Sequence, residues 1–298
     1  MGKTSTIEWT DSTYNPWTGC SKVSPGCQNC YAERITVRWG GNFGKLRVAS
    51  EKKFYEPMTW GPLREPTWPG FPARRIFTCS MSDFFHRDAD IWRDQAWEVI
   101  RRTPQHVYQI LTKRPERVMD HLPITCWRCG HAPKPTKGGW RVDGYCDCLK
   151  APLLWGTAAP WPNVWLGTSV ELQMYLSERV GILASIPADM RFLSVEPLLG
   201  KIDFRRGDGY VADDPYQLHG IHWVIVGGES GPKARPMKAD WVRLIRDQCA
   251  DANVPFFFKQ WGGNRKCDCH DAWGCCELDG QVHNAVPVPI SMMQRLKV

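Results

Sequence analysis

The sequence contains no apolar run close to the roughly 18 residues that a membrane-spanning helix requires, which argues against an integral membrane protein. Its N-terminal segment lacks the basic-then-apolar order of a secretory signal peptide. It also has no low-complexity tract, and its only repetition is an alternation of strand-like and helix-like segments. We therefore expect a cytoplasmic protein without a membrane partner.

The composition is that of a folded protein with a basic surface. Of its 298 residues, 43% are hydrophobic and 23% charged, enough for one large domain or two ordinary ones. The formal charge is +7, and the chain has 16 tryptophans and 11 phenylalanines. A positive field attracts polyanions and aromatic rings stack on bases, so a nucleic acid or nucleotide is the predicted partner. The alternative is that the aromatic residues form the core and the arginines a solvated face.

The chain has 13 cysteines, an odd number, and many of them are closely spaced. Without a secretion signal, such cysteines indicate metal ligands before disulfides. The close pairs are Cys27/Cys30, Cys126/Cys129, Cys146/Cys148, Cys267/Cys269 and Cys275/Cys276.

Short apolar segments alternate with segments of helical periodicity, as in a βα repeat. Such strands, bounded by helices, predict a parallel sheet that is covered on both faces. The predicted strands are 74–80, 106–114, 164–171, 190–198, 221–230 and 254–262, and the clearest predicted helices are 91–100, a segment ending near 184, and 241–249.

Each predicted strand ends in polar or ionisable residues, and β/α barrels and open parallel sheets place their sites at that edge. We predict an α/β fold, a partial (β/α) TIM-type barrel, with an open doubly wound sheet as the alternative. Two segments interrupt the alternation. The predicted barrel comprises 1–123 and 156–262, with a cysteine-rich, zinc-binding-like insertion at 124–155 and an irregular, cysteine-containing tail at 263–298.

The segment around Cys20, Cys27 and Cys30 carries the most informative chemistry. Soft thiolates bind iron–sulfur clusters or zinc, and no fourth cysteine or histidine lies nearby to complete a structural zinc site. Three thiolates on a 4Fe-4S cluster leave one iron open for another ligand. A helix begins at Tyr31, so the dipole at its N-terminus favours a negative cluster beside Cys30. A zinc site completed by a distant ligand is the alternative.

The chain resembles radical-SAM (radical S-adenosylmethionine) enzymes in its Cys-x-x-Cys pair followed by an aromatic residue, Tyr31. More closely, it resembles a phage-encoded family of unassigned function, named for three-cysteine motifs and distantly similar to spore photoproduct lyase. The resemblance covers most of the chain, through LTKRPERV, WLGTSVE, LSVEPLLG, VIVGGESGPKARPM and FFFKQWG. It departs from the usual pattern in having six residues rather than three between Cys20 and Cys27.

This resemblance implies an enzyme that reductively cleaves S-adenosylmethionine at a 4Fe-4S cluster and so starts radical chemistry. The expected substrate is a nucleobase or nucleotide, in DNA repair or modification, and the cluster requires an electron donor. A phage-encoded enzyme would act in the cytoplasm of its bacterial host.

Residues at the strand ends are the predicted ligands of S-adenosylmethionine. The set is Ser80, Asp83, Lys113, Ser169, Glu171 and Glu196. The lysine suits the carboxylate, the two serines suit the amino-acid moiety or ribose, and the three acids suit the ammonium group or ribose hydroxyls. The resemblance to spore photoproduct lyase supports the two serines and the lysine. Individually, each residue is equally explained as a cap or a surface group.

Cys79 lies where the photoproduct lyase carries a hydrogen-donating thiol, and the resemblance therefore implies that it quenches a substrate radical. A buried apolar cysteine at a strand end is the alternative.

The later cysteines predict a second metal site. Cys126, Cys129, Cys146 and Cys148 have spacings that suit a zinc ribbon, with a second iron–sulfur cluster as the alternative. The tail residues Cys267, Cys269, Cys275 and Cys276 either hold another metal or complete the inserted site. The competing functional hypothesis is a zinc-dependent protein that binds nucleic acid or a partner without radical chemistry. The polar strand ends favour the enzyme.

Overall fold

The computed structural model describes residues 2–61, 63, 73–123, 125–130, 144–146, 151–153, 161–205, 216–263 and 276–288. The strands are β1 (Ser12–Tyr14), β2 (Trp17–Thr18), β3 (Arg47–Val48), β4 (Arg74–Thr78), β5 (His106–Thr112), β6 (Gly144–Cys146), β7 (Ala151–Leu153), β8 (Val164–Ser169), β9 (Met190–Val195), β10 (Trp223–Gly227), β11 (Phe256–Gln260), β12 (Glu277–Leu278) and β13 (Gln281–Val282). The helices are α1 (Tyr31–Arg38), α2 (Glu51–Phe54), α3 (Asp90–Arg102), α4 (Gln173–Tyr175), α5 (Gly181–Ser185) and α6 (Ala239–Asp251).

Seven strands form one parallel sheet in the order β1-β4-β5-β8-β9-β10-β11. The order follows the chain, and the sheet curls into a half-barrel. Every neighbouring pair is parallel, so all the carboxyl ends meet at one edge. The prediction of a partial barrel is confirmed at this level. The pairs β2-β3, β6-β7 and β12-β13 are small antiparallel ribbons outside the sheet.

Almost every residue of the central strands is buried. Because alternate residues of a strand point to opposite sides, the sheet is covered on both faces. On the outer face, Ile110, Leu166 and Val224 belong to a core cluster that includes apolar residues of α3 and α6. The inner face is filled by aromatic rings, and Gly167 gives one of them room, because an added Cβ would lie 2.5 Å from the Phe192 ring. The inner aromatic residues are Trp9, Phe77, Trp165, Phe192, Trp223 and Phe257.

The helices lie where the periodicity predicts them. The apolar stripe of α3, which includes Trp97 and Val99, is buried against the sheet. The helix predicted after β8 is α4 followed by α5, joined by the π-helical segment Leu176–Val180. Within the described part of the chain, no helix combines the length and the apolar character needed to cross a membrane.

The C-terminal segment is more regular than predicted in the part that the structure describes. The ribbon of β12 and β13 is followed by extended chain that lies against β11, where the Phe258 N–H donates to the His283 carbonyl at 2.7 Å. The Trp223 indole also donates to the Ala285 carbonyl at 2.8 Å. The Phe258 bond satisfies a group of β11 that would otherwise lie on an open sheet edge.

Candidate functional site

The three-thiol loop (residues 20–30) connects the ribbon strand β2 to α1 and contains a 3₁₀ turn at Pro25–Cys27. Its cysteines, Cys20, Cys27 and Cys30, are free thiols of intermediate exposure. The loop begins at a fixed point, because the Cys20 N–H donates to the Phe43 carbonyl at 2.8 Å. Cys30 is the residue that precedes the first turn of α1, as the sequence predicts.

The three thiols share one neighbourhood. Cys20 and Cys30 pack against the same apolar cluster of Ala32, Phe43 and Met81. Burial, followed by the charge of nearby Asp83, raises the pKa of Cys20 to about 11, and a charge on Cys27 acts in the same direction. The pKa of Lys22 is raised chiefly by its bond to Glu33, with smaller contributions from Cys30 and Cys27.

The donor set consists of three free thiols, which are soft donors suited to iron or zinc. Among the residues that the structure describes, no three histidine, cysteine, aspartate or glutamate side chains are arranged to hold one ion. Arg114 donates to the Cys20 sulfur at 3.6 Å, supplying positive charge beside the thiols. By their chemistry, the residues present fit a metal group held by sulfur.

A buried ion pair attaches the loop to the end of β5. Asp83 accepts from the Arg114 guanidinium at 2.9 Å and from the Thr112 hydroxyl at 2.7 Å. Arg114 in turn donates to the carbonyl and the hydroxyl of Ser21, at 2.9 and 2.8 Å. Asp83 also accepts from the backbone N–H of Lys113 at 3.0 Å. The predicted ligand Asp83 thus positions other groups of the site.

A second attachment joins the loop to the end of β8. Glu171 is fully buried, accepts from the Ser24 hydroxyl, and pairs with Arg179 at 3.0 Å. Gly26 lies directly against this carboxylate, where an added Cβ would be 2.7 Å from Oε1. Glu171, predicted to bind S-adenosylmethionine, therefore holds the backbone that carries Cys27.

A third attachment comes from the turn after β10. Glu229 accepts from Asn29 and from Arg235, both at 2.9 Å, and Arg235 also donates to the Pro25 carbonyl at 3.0 Å. Burial raises the pKa of Glu229, but the bonds from Arg235 and Asn29 outweigh it, so the net shift is downward. The turn itself is tightly packed, since a Cβ at Gly228 would lie 1.9 Å from the Trp261 carbonyl oxygen.

The remaining predicted ligands lie at the same edge of the sheet. The Ser80 hydroxyl contacts Asn15 at 3.0 Å, and the Ser80 carbonyl accepts from the Tyr31 hydroxyl. Ser169 is buried next to Ser194 in the register of β8 and β9. The side chain of Lys113, which is partly exposed, makes no hydrogen bond or ion pair in the part of the chain that the structure describes.

Glu196, the last predicted ligand, forms an ion pair with Lys259 at 2.6 Å. Glu8 lies close to this pair, and its pKa is raised by burial and by Glu196 but lowered by Lys259. This arrangement places two acids and one lysine together at the end of β11.

Cys79 follows β4 in a left-handed backbone conformation, with φ of 62°, which is uncommon for a residue other than glycine. Its side chain is 2% exposed and belongs to the core cluster on the helix side of the sheet. Burial, together with the nearby Asp83 and Cys20, raises the pKa of the Cys79 thiol well above its usual value. Cys79 therefore stays protonated at neutral pH, and its role as a hydrogen donor remains a prediction.

Half of the cysteines predicted for a second metal site lie outside the described residues. Cys126 is buried and Cys129 exposed, and both thiols contribute to a raised pKa of Arg101, after Glu98. Cys146 ends β6, whose ribbon with β7 falls within the predicted insertion. Cys276 is partly buried. The residues Cys148, Cys267, Cys269 and Cys275 lie outside the described ranges.

Sequence reasoning did not identify the residues that attach the loop. Arg114, Arg179 and Arg235 each pair with an acid at a strand end, and Lys259 pairs with Glu196. One signal in the sequence could have pointed to these partners: a basic residue lies a few positions from each acid or strand end. Without the fold, such residues cannot be told from solvated surface charges.

The fold and the site together define a class of protein, an α/β half-barrel with three free thiols on a loop at the carboxyl ends of its parallel strands. The chain belongs to the family described as "Protein of unknown function (DUF5131)", whose model matches residues 4–287. Among curated proteins and among solved structures, nothing matches the chain.

Proposed function

We propose that this protein is a radical-SAM enzyme that acts on a nucleobase or nucleotide, in DNA repair or modification. The observation that supports it most is the placement of three free thiols, Cys20, Cys27 and Cys30, at the carboxyl edge of a parallel half-barrel. Thiols in this position match the place where β/α folds bind their substrates. When bound there, a 4Fe-4S cluster supplies an electron to S-adenosylmethionine and so generates a carbon radical.

The chain's own residues hold the thiols and offset their charge. Arg114 contacts Cys20, and its pairing with buried Asp83 fixes the guanidinium in place. Glu171 and Arg235 hold the loop just before Cys27, through the Ser24 hydroxyl and the Pro25 carbonyl. These contacts leave Lys113 free to take a carboxylate, as proposed for the amino-acid end of S-adenosylmethionine.

The other groups have roles that follow from their environments. The Ser80 hydroxyl and buried Ser169 are suited to hydrogen-bond S-adenosylmethionine, and Glu196 to accept from its ammonium or ribose. Cys79, which burial keeps as a thiol, is suited to give a hydrogen atom to a substrate radical.

The proposal includes a cytoplasmic location, an external electron donor and a zinc-binding insertion that contains Cys126 and Cys129. These two thiols lie close to Arg101 of α3. Zinc there would substitute for a core that so short a segment cannot build.

The test is anaerobic reconstitution with iron and sulfide, followed by measurement of iron per chain and of 5′-deoxyadenosine formed under a strong reductant. We expect a brown protein that cleaves S-adenosylmethionine. Serine variants at Cys20, Cys27 and Cys30 should each lose both properties. The matched control is Cys129→Ser, which should keep iron and cleavage. A colourless protein that binds zinc alone would instead support the binding protein without radical chemistry.

A further inference from the structure

A cleft of about 500 Å³ lies between α1 and the turn that follows β10, on the surface next to the three-thiol loop. One face of α1 lines it, with Arg34, Val37 and Arg38 following Cys30 at helical spacing. The opposite wall includes Pro232 and Lys233. The cleft therefore combines cationic groups with apolar walls, and Cys30 belongs both to it and to the candidate cluster site.

The cleft has a surplus of positive charge. Arg38 and Lys233 are exposed, and neither side chain has a hydrogen-bond or ion-pair partner within the described ranges. Arg34 donates to the Ser230 carbonyl at 3.0 Å, while its buried Nε lacks a partner among the described residues. The acid of the cleft, Glu33, is already neutralised by Lys22 at 2.8 Å.

Several arginines outside the cleft are instead paired with acids. Arg75 pairs with Asp11 at 3.1 Å, Arg101 with Glu98 at 2.6 Å. Arg205 pairs with Asp203 at 2.7 Å. These three arginines are committed to ion pairs within the chain, whereas Arg38 and Lys233 of the cleft are available to a ligand.

We propose that this cleft binds the phosphodiester backbone of single-stranded nucleic acid. Guanidinium and ammonium groups bind phosphate oxygens, and the apolar walls suit the sugar. Trp39, which directly follows α1, is 72% exposed and offers a stacking surface for a base. The volume of the cleft suits one nucleotide unit of a strand. An acidic protein partner would need a broader contact surface than this cleft offers.

That the bound strand is the substrate rests on the proposed function. Because Cys30 lines the cleft, a backbone held there keeps neighbouring nucleotides beside the three-thiol loop. The enzyme would then act on a polynucleotide, and the strand would be single or would present an unstacked base.

The test measures the binding of fluorescently labelled 12-nucleotide DNA and RNA single strands by anisotropy, with the protein before and after cluster reconstitution. The variant is Arg38→Gln with Lys233→Gln. Loss of two phosphate contacts should reduce the slope of log affinity against log salt by about 1.4, equivalent to about 25-fold weaker binding at 0.1 M salt. The control is Arg102→Gln with Lys52→Gln, which removes the same charge from exposed positions outside the cleft.

The control should bind as the unmodified protein does, and thermal unfolding should show all three to be folded. The two strand types decide whether the ligand is DNA, RNA or either. The inference is overturned if the unmodified protein binds neither strand at low salt, or if both double variants have the same salt slope. Slower reduction by an acidic electron carrier, with unchanged strand binding, would assign the cleft to that carrier instead. Strand binding without S-adenosylmethionine cleavage would overturn the proposed function and leave the binding site intact.

Discussion

The ion pair between Arg114 and Asp83 gives the most direct test of how the loop is held. Both side chains are buried, with 9% and 6% exposed, and their closest atoms are 2.9 Å apart. Removing one member of a buried pair leaves an uncompensated charge, which typically costs about 3–5 kcal/mol. Asp83 keeps the Thr112 hydroxyl and the backbone N–H groups of Phe85 and Lys113 as donors. We therefore expect Arg114→Gln to lower the free energy of unfolding by about 3 kcal/mol.

The assay is urea unfolding, read by tryptophan fluorescence. The control is Arg205→Gln, whose side chain is 59% exposed in its ion pair with Asp203 and whose loss should cost no more than about 1 kcal/mol. A second readout is the pH dependence of thiol alkylation, because loss of Arg114 should raise the pKa of Cys20 above its present value of about 11. If Arg114→Gln and Arg205→Gln destabilise the protein equally, and the reactivity of Cys20 is unchanged, the reasoning is wrong.

Four other predictions follow from the surroundings of single residues. Burial lowers the pKa of His106 to about 4. Between about pH 6.5 and 4 the unfolded chain therefore binds a proton that the folded chain does not, so the free energy of unfolding should fall by about 3 kcal/mol as the pH drops through this window. His106→Gln should remove that part of the pH dependence in urea titrations. Gly26→Ala places a methyl against Glu171 and should reduce the iron bound on reconstitution. Gly181→Ala has open space around it and should raise the free energy of unfolding by about 0.5–1 kcal/mol in the same urea titration. Cys79→Ala should leave S-adenosylmethionine cleavage unchanged and divert the substrate radical to other products in mass spectrometry; an unchanged product distribution would argue for a purely structural cysteine.

The sequence predicts the main strands because each is a continuous apolar segment that the sheet buries on both faces. The predicted strands 106–114 and 190–198 correspond to β5 and β9, with ends two or three residues too long. The excess begins with ionisable residues at the carboxyl edge, Lys113 and Arg114 after β5 and Glu196 after β9, where the chain leaves the ladder to form the site. The first strand, β1, was not predicted, since its three residues Ser12–Tyr14 show no recognisable period.

The site was predicted in its location but not in its internal bonding. The strand-end rule places Asp83, Glu171 and Glu196 at one edge, and the structure brings them there. Asp83 holds the three-thiol loop through Arg114, whereas Glu171 binds Ser24 of the loop directly and is paired with Arg179. Both acids have such partners because a carboxylate buried in the fold needs a nearby cation or several donors. Which arginine reaches which acid depends on tertiary distances, and sequence spacing carries no such information.

The attachment of the loop to three distant strand ends has a consequence for biosynthesis. Cys20, Cys27 and Cys30 are synthesised before the groups that fix them, which extend to Arg235. The growing chain therefore carries these sulfurs unshielded until Arg235 has been made. Loading of the proposed metal group into the finished geometry has to wait for that point in synthesis.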